Sequence, residues 1–495
     1  MKEINIRFAA ALSALCLCCC SSNEAVTVPE VYPDEEEKTS EVLPPYKVET
    51  RKNTKTTSWT TYSAYTLDCL EGFTKNAAEP QTDNYGGWKS GTHTATGFFR
   101  VEKIDGRWWL ITPKGNLFIS KGVTSFSPGN SDRSKAELQS RFGSRTNWAK
   151  TEIQTLKGLG FNSVGAWSQT SEIHSLGASS KIPYVVIVSP MGAFNGSLKS
   201  GGTEADAYAA AGWEGYPYDF AFVFSDEFDK YVESKISAIA EYKDDPYCIG
   251  YFTDNEIPWK DYALERCLTK WPATHINHIK AQEWLDARKG KTGATVSDAT
   301  DSDKKAFIAY CLETYLQKVT AALKKYDPNH LYLGCRFNQW NYELKNEEIF
   351  KVAGKYMDII SINHYQKWEP DETVMRNWES WSGKPFIVTE FYVKGEDSGL
   401  PNATGAGWNV KTQTERGYFY QNFARVLVKS KSCIGWQWFK YMDNDPEDTT
   451  ADSSNRDSNK GIVKWNFDYW TPLSESMGEF NANVWNLIQY YDNKK

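Results

Sequence analysis

Residues 97–123 read GFFRVEKIDGRWWLITPKGNLFISKGV. Two β-rich runs flank Asp105-Gly106, a dipeptide suited to a two-residue hairpin turn because both residues tolerate positive φ. The hairpin closes near Thr112, and the apolar run 116–123 opens a rhythm that fills the rest of the chain. Similar short runs recur at 163–167, 184–188, 248–253, 331–335, 359–362, 386–389 and 434–439. Helical patterns lie between most of them. One covers 148–159. A second, 225–242, carries Phe228, Tyr231, Val232, Ile236 and Ile239 on one face. A third, 306–325, has Ile308, Leu312, Tyr315, Val319 and Leu323 at helical spacing and stops at Asp327-Pro328. Others cover 343–356, 414–429 and 477–491. Eight strands alternating with helices predict an α/β fold, a (β/α)8 TIM barrel with a small N-terminal β-hairpin region. An open doubly wound sheet is the alternative. Against it, residues 120–124 (SKGVT) lack the glycine-rich phosphate loop that would open a helix after the first strand.

The chain has 495 residues, with 56 Lys+Arg against 63 Asp+Glu and a net charge of −7. That balance excludes a general nucleic-acid binder, which needs a basic surface to displace counterions. Aromatic residues make up 15% of the chain, with 20 Trp, 28 Tyr and 24 Phe. Tryptophan on this scale exceeds what packing requires, and flat aromatic faces are what sugar rings stack on. Of ten cysteines, Cys16, Cys18, Cys19 and Cys20 crowd the N-terminus. Cys69, Cys248, Cys267, Cys311, Cys335 and Cys433 are scattered without CxxC spacing and read as buried thiols.

The N-terminus reads as an export signal. Lys2 and Arg7 precede an apolar run, 8–17, too short to span a bilayer. It ends in LCCCSS at 17–22, which looks like a bacterial lipobox with Cys20 as the lipidated residue and Cys18 as second choice. Residues 1–20 are thus expected to be a lipoprotein signal peptide, and the protein an exported bacterial lipoprotein. An N-terminal lipid anchor would hold it at the outer membrane or cell surface, or in the periplasm. A plain cleaved signal peptide is the alternative. Residues 21–50 carry Pro29, Pro33, Pro44, Pro45 and the acidic run 34–37, and read as a flexible acidic, proline-bearing tether. A β-rich extension is expected over 51–112 and the catalytic barrel over 113–495.

In a barrel, chemistry gathers at the C-terminal ends of the strands. The fourth run ends in GYFTDNEIPW (250–259) and the seventh in PFIVTEF (385–391), so Glu256 and Glu390 each stand where an apolar strand runs out. A single strand-end glutamate is more often a surface or paired residue. Two facing each other are what glycosidic cleavage needs, one protonated to serve the leaving oxygen and one ionised. Each also perturbs the other's pKa, which separates the roles. Arg336, late in the fifth run, is costly to bury without a carboxylate; Glu390 or Glu256 is the natural partner, Asp254 the structural alternative. Residues 362–365 (INHY) bring polar groups to the same mouth, with His364 either a site residue or a packed histidine. Trp436 and Trp438, two apart, share one face of the eighth strand. Trp438 is the candidate floor of the central sugar subsite, Trp436 a barrel filler or substrate contact, and Trp167 and Trp259 candidate walls. His275-x-x-His278 lacks an acid to complete a metal motif, and the acidic run 443–457 lacks the glycine and spacing of a calcium loop. No metal or cofactor is expected.

Asn255-Glu256 at the fourth run, a glutamate at the seventh and tryptophans at the eighth look like clan A glycoside hydrolases. More closely, residues 98–123, 250–259, 330–337 (HLYLGCRF), 397–407 (DSGLPNATGAG) and 433–445 (CIGWQWFKYMDND) resemble the β-agarase family, glycoside hydrolase family 50. The resemblance implies a retaining enzyme that cleaves β-linked galactan, agarose or its oligosaccharides, with Glu256 as general acid/base and Glu390 as nucleophile. Asn255 would then bond the hydroxyl beside the anomeric carbon, and Tyr365 would orient the nucleophile. Retention sets the expected carboxyl separation at about 5–5.5 Å. The alternatives are another β-glycan (a β-galactoside or β-1,3-glucan) and a non-catalytic surface glycan-binding protein. Two intact glutamates argue against the latter.

Overall fold

The computed structural model describes residues 44–91, 93–201, 215–338, 342–451 and 456–493. The chain divides into two units, Met1–Glu41 and Val42–Lys495, and every described residue belongs to the second. The expected signal peptide with Cys20, and the expected tether up to residue 43, lie outside the described residues. The end of that tether overlaps a strand, Tyr46–Arg51, because Val48 and Thr50 alternate inward and are buried.

The central sheet has nine strands, all parallel. In spatial order they are Leu331–Tyr332, Cys248–Thr253, Tyr184–Val188, Ser163–Val164, Ser120–Val123, Cys433–Trp438, Phe386–Glu390, Ile360–Asn363 and Phe337–Asn338. Cys248–Thr253, Phe386–Glu390 and Cys433–Trp438 are buried at every position, as central strands of a parallel sheet are. This corrects the expected (β/α)8 TIM barrel. The fifth run, read as one strand over 331–335, is two short strands that end up at opposite edges of the sheet. Gly334 (φ 82°) and Arg336 (φ 56°) take the left-handed conformation and turn the chain out of the β region between them. The broken segment still bonds to both sides. Leu333 N–H donates to Tyr251 O at 2.8 Å, and Arg336 N–H to Ser361 Oγ at 2.9 Å.

Two smaller sheets complete the architecture. In one, Arg100–Ile104, Arg107–Ile111 and Leu117–Phe118 run antiparallel, the first two joined by Asp105 (φ 49°) and Gly106 (φ 82°), the signs a type I′ turn requires. The other orders Lys394–Gly395, Asn409–Val410, Tyr46–Arg51 and Thr60–Ala64. Helices between the central strands carry sequence-encoded caps. Asp301–Tyr326 starts at a reciprocal box between Thr300 and Asp303, Gln413–Lys429 at one between Thr412 and Glu415. Asp327 ends the former ahead of Pro328.

One ion pair, its guanidinium buried and its carboxylate at the surface, ties the C-terminal helix Val484–Asn493 to the hairpin. The guanidinium of Arg107, 1% exposed, donates Nε–H and Nη2–H to Asp492, each at 2.8 Å, and Nη1–H to Val428 O at 2.8 Å. Removing Asp492 leaves the buried Arg107 guanidinium without a counter-charge. Asp492→Ala should therefore cost about 3 kcal/mol of stability. The check is a lower urea midpoint with an unchanged slope.

Candidate active site

The strand Cys248–Thr253 ends in a tight turn in which Asp254 (φ 58°) and Glu256 (φ 50°) are both left-handed. L-residues take that conformation at a cost of roughly 1–2 kcal/mol each, so neighbours must hold it. They do. The buried Asp254 carboxylate accepts N–H bonds from Met191 (3.1 Å) and Gly192 (2.8 Å) at the start of the helix Pro190–Gly201, and the Tyr315 hydroxyl at 2.8 Å. Glu256 N–H donates to Arg336 O at 3.2 Å. The turn carries the Glu256 carboxyl into the mouth, where Asn363 Nδ2 donates to its Oε1 at 2.7 Å and Asn338 also bonds it.

Glu390 is the last residue of Phe386–Glu390. Arg336 Nη2 donates to its Oε1 and the Tyr365 hydroxyl to its Oε2. Arg336 is fully buried, with Cζ 5.4 Å from the Trp167 ring and 5.6 Å from that of Phe252. Its Nε and Nη1 have no hydrogen-bond partner among the described residues. Asn363 links the two carboxyl-bearing strands. Its Nδ2 also reaches Asn255 Oδ1 at 3.2 Å, while its Oδ1 accepts the Thr389 hydroxyl at 2.8 Å.

Electrostatics set the two glutamates apart. Burial, then the negative charge of Glu390, push the Glu256 carboxyl up to about 7; the Asn363 bond and the charge of Arg336 offset this only in part. Burial raises Asp254 to about 6 against its three donors. Tyr365 is held well above the usual phenol range by burial and by Glu390, so it stays a donor.

Glu256, Glu390, Asn255, Arg336, Tyr365 and Trp167 come together. Trp167 is 42% exposed and left-handed (φ 65°), its ring beside Arg336. Four other candidates lie elsewhere. His364 alternates with Asn363 and Tyr365, so its ring points to the helices, against Phe423 (5.1 Å) and Trp378 (6.2 Å). Burial and Lys367 push it down to about 3, which leaves it neutral. Trp436 and Trp438 do share a face, but it is the helix-facing one. Trp436 Nε1 donates to the Tyr420 hydroxyl (2.9 Å) and Trp438 Nε1 to Lys460 O (2.8 Å), and both are fully buried. Trp259 is buried edge-on to Tyr315 at 5.7 Å. Sequence reasoning passed over Asn338 and Phe439. Asn338 closes the short strand that follows Arg336 and bonds Glu256, and half-buried Phe439 packs on Tyr392 at 5.7 Å, one residue past Trp438. His275 caps the helix Ile276–Lys289. Among the described residues no His/Cys/Asp/Glu group could hold a metal ion.

No protein-family model matches the sequence. The crystal structure of BpGH50 matches at 30% identity, covering 93% of this chain and 99% of that one, with a TM-score of 0.78. The chain belongs to glycoside hydrolase family 50. Beta-agarase B of Vibrio sp. (strain JT0107) is 27% identical over 493 residues, 82% of this chain and 50% of the relative; Beta-agarase A of the same strain is 23% identical over 485 residues, 79% of this chain and 46% of the relative. The chain thus spans about half the length of these curated relatives. The agarase structure AgWH50C shares the fold, with 22% identity, a TM-score of 0.67, and coverage of 83% of this chain and 67% of that one. The clan A placement is a second correction: the structural neighbours that support the assignment are family 50 proteins, and the nine-stranded sheet is not a regular eightfold barrel.

In this family 50 chain the raised Glu256 is testable directly. Carboxyl 13C resonances should show Glu256 titrating near pH 7. Glu390→Gln removes the neighbouring charge and should move that titration to lower pH. A Glu256 that titrates near 4.5 in both proteins would contradict this electrostatic account.

Proposed function

We propose that the protein is a retaining glycoside hydrolase that cleaves β-linked galactan of the agarose type. The observation that carries the reading is the asymmetry of the two buried carboxyls. Glu390 faces two donors, Arg336 and Tyr365, which suit an ionised nucleophile. Glu256, raised by burial and by that charge, stays protonated near neutral pH and suits a general acid. The agarase names of the Vibrio relatives supply the substrate class.

Cleavage then takes two steps. The Glu390 carboxylate attacks the anomeric carbon while Glu256 gives its proton to the leaving oxygen. The ester formed at Glu390 carries no charge, so the repulsion that raised Glu256 falls away and its carboxylate can take a proton from water. That water attacks from the face the leaving group vacated, opposite the ester; the Glu390 carboxylate departs, and the second inversion restores the starting configuration. Asn255, beside the acid, is available to the hydroxyl next to the anomeric carbon, and the exposed face of Trp167 to a sugar ring. The proposal includes export and a lipid anchor at Cys20, placing the enzyme at the outer membrane or cell surface, or in the periplasm.

Sizing of products from agarose, porphyran and β-1,3-glucan tests the substrate. Cleavage of another β-glycan would reassign it, and no reducing ends from any would favour a binding protein. A crystal structure should find the two carboxyls about 5–5.5 Å apart; a gap beyond about 6.5 Å would leave room for a water and remove the nucleophile role.

Azide separates the roles. Glu256→Ala should release an activated aryl leaving group in a burst, then turn over slowly, and azide should speed the second step with a β-glycosyl azide as product. Glu390→Ala should lose turnover on every substrate. An inverted azide product from Glu256→Ala would reverse the assignment.

A further inference from the structure

The helix Asp301–Tyr326 buries a stripe of aliphatic residues, Ile308, Leu312, Val319 and Leu323, and one position of that stripe is Tyr315. A leucine would fill the space without further demand, whereas a buried phenol must find a partner for its hydroxyl. Here the partner lies in the turn that carries Glu256. The Tyr315 hydroxyl donates to Asp254 Oδ2 at 2.8 Å, with Thr253 Oγ1 at 2.8 Å and Thr253 O at 3.2 Å also in reach. The ring meets the same segment further on, edge-on to Trp259 at 5.7 Å. In the chain, Glu256 stands between these two contacts.

We propose that Tyr315 is a positioning residue for Glu256: it grips the turn on both sides of the acid, by its hydroxyl before it and by its ring after it. The proposal rests on the reading of Glu256 as general acid. The turn needs such a grip. Asp254 and Glu256 are both left-handed, and relaxation of either backbone would swing the Glu256 carboxyl out of place. The grip is itself fixed. Its helix runs 26 residues from the reciprocal cap at Thr300 and Asp303, and the Tyr315 ring stacks on Phe228, in the helix Asp226–Ile236, at 6.0 Å. The Thr253 hydroxyl is in turn 2.6 Å from that of Tyr332, on the short strand just before the break at Gly334. An acid displaced by about 1 Å loses much of its effect, because proton transfer requires hydrogen-bond reach.

The test uses two aryl glycosides of one agaro-oligosaccharide, one releasing phenol and the other dinitrophenol. The saccharide contacts are then the same, and only the demand for a proton differs. Tyr315→Phe keeps the ring and removes the hydroxyl. It should lower kcat/KM about tenfold on the phenyl glycoside, a part of what general acid catalysis supplies, and less than about twofold on the dinitrophenyl one. A packing role would lower both alike. Equal losses on both, or none on either, would overturn the proposal.

Asp254→Asn is the second variant, used if Tyr315→Phe fails to fold. It keeps Tyr315 and turns an amide toward the Met191 and Gly192 N–H groups, and the same split is expected. Glu256→Ala is the control. A split in Glu256→Ala with none in Tyr315→Phe removes the positioning role and keeps the acid. No split in Glu256→Ala removes the acid reading, and the positioning role with it. Should the wild type release neither phenol, the hydrolase reading fails, and the carboxyl 13C titration of Glu256 decides whether Tyr315 places it. A loosened turn moves the carboxyl away from Glu390, so Tyr315→Phe should bring the midpoint down from about 7; an unchanged midpoint would refute the role.

Discussion

The ion pair between Arg336 and Glu390 is the constraint on which the mouth of the sheet is built. A guanidinium with no solvent exposure costs several kcal/mol unless a carboxylate meets it. Here the partner arrives from the end of another strand, with the rings of Trp167 and Phe252 on the guanidinium's flanks. The backbone of the same residue is as constrained as its side chain. Left-handed, it accepts Glu256 N–H and donates to Ser361 Oγ. Arg336 thereby touches both carboxyl-bearing segments, one through its main chain and one through its side chain. The break in the sheet at Gly334–Arg336 and the pairing of the two glutamates are aspects of one local structure.

Polar groups around that pair are shared rather than duplicated. Asn363 spends its amide on Glu256 and Asn255 and its carbonyl on Thr389, so it fixes the acid-side turn relative to the strand that ends in Glu390. Asp254, two residues before Glu256, is saturated by two backbone donors and a tyrosine, and holds the strained turn without entering the mouth. Two buried acids two residues apart thus do different work. Burial raises both, but Asp254 is satisfied by its three donors, whereas Glu256 also feels the charge of Glu390.

The strand ends and the two glutamates were legible because an apolar run ending in a carboxylate is a strong local pattern. Period-two alternation was legible as well, but it says which residues share a face and not which face. Trp436 and Trp438 are together, as their spacing demands, yet they point at the helix layer, where Tyr420 and Phe391 pack with them. His364 falls to that layer for the same reason, while its neighbours Asn363 and Tyr365 face the mouth. The broken fifth run was hidden because LYLGC reads as a continuous apolar strand. The glycine within it was the available sign, since a glycine inside a strand marks a bulge or a close backbone approach. At Gly334 a Cβ would stand 2.6 Å from Met357 Sδ, so both its φ and its surroundings exclude a side chain.

The aromatic excess has a different explanation from the one composition suggests. Trp88, Trp148, Trp259, Trp378, Trp436 and Trp438 are among the largest fully buried side chains, so much of the tryptophan is core. The helix-covered face of a parallel sheet offers wide apolar surface, and large rings with one polar edge fill it where a carbonyl or hydroxyl can take the indole N–H. Stacking on a sugar needs a ring with one face in solvent and the other supported. Trp167 meets that description: 42% exposed, backed by a guanidinium that is itself held by Glu390. A platform tied through one arginine to a carboxylate would report on that carboxylate's charge. In the proposed mechanism the ester formed at Glu390 would take away the arginine's ionic partner while leaving the exposed face of the Trp167 ring in place.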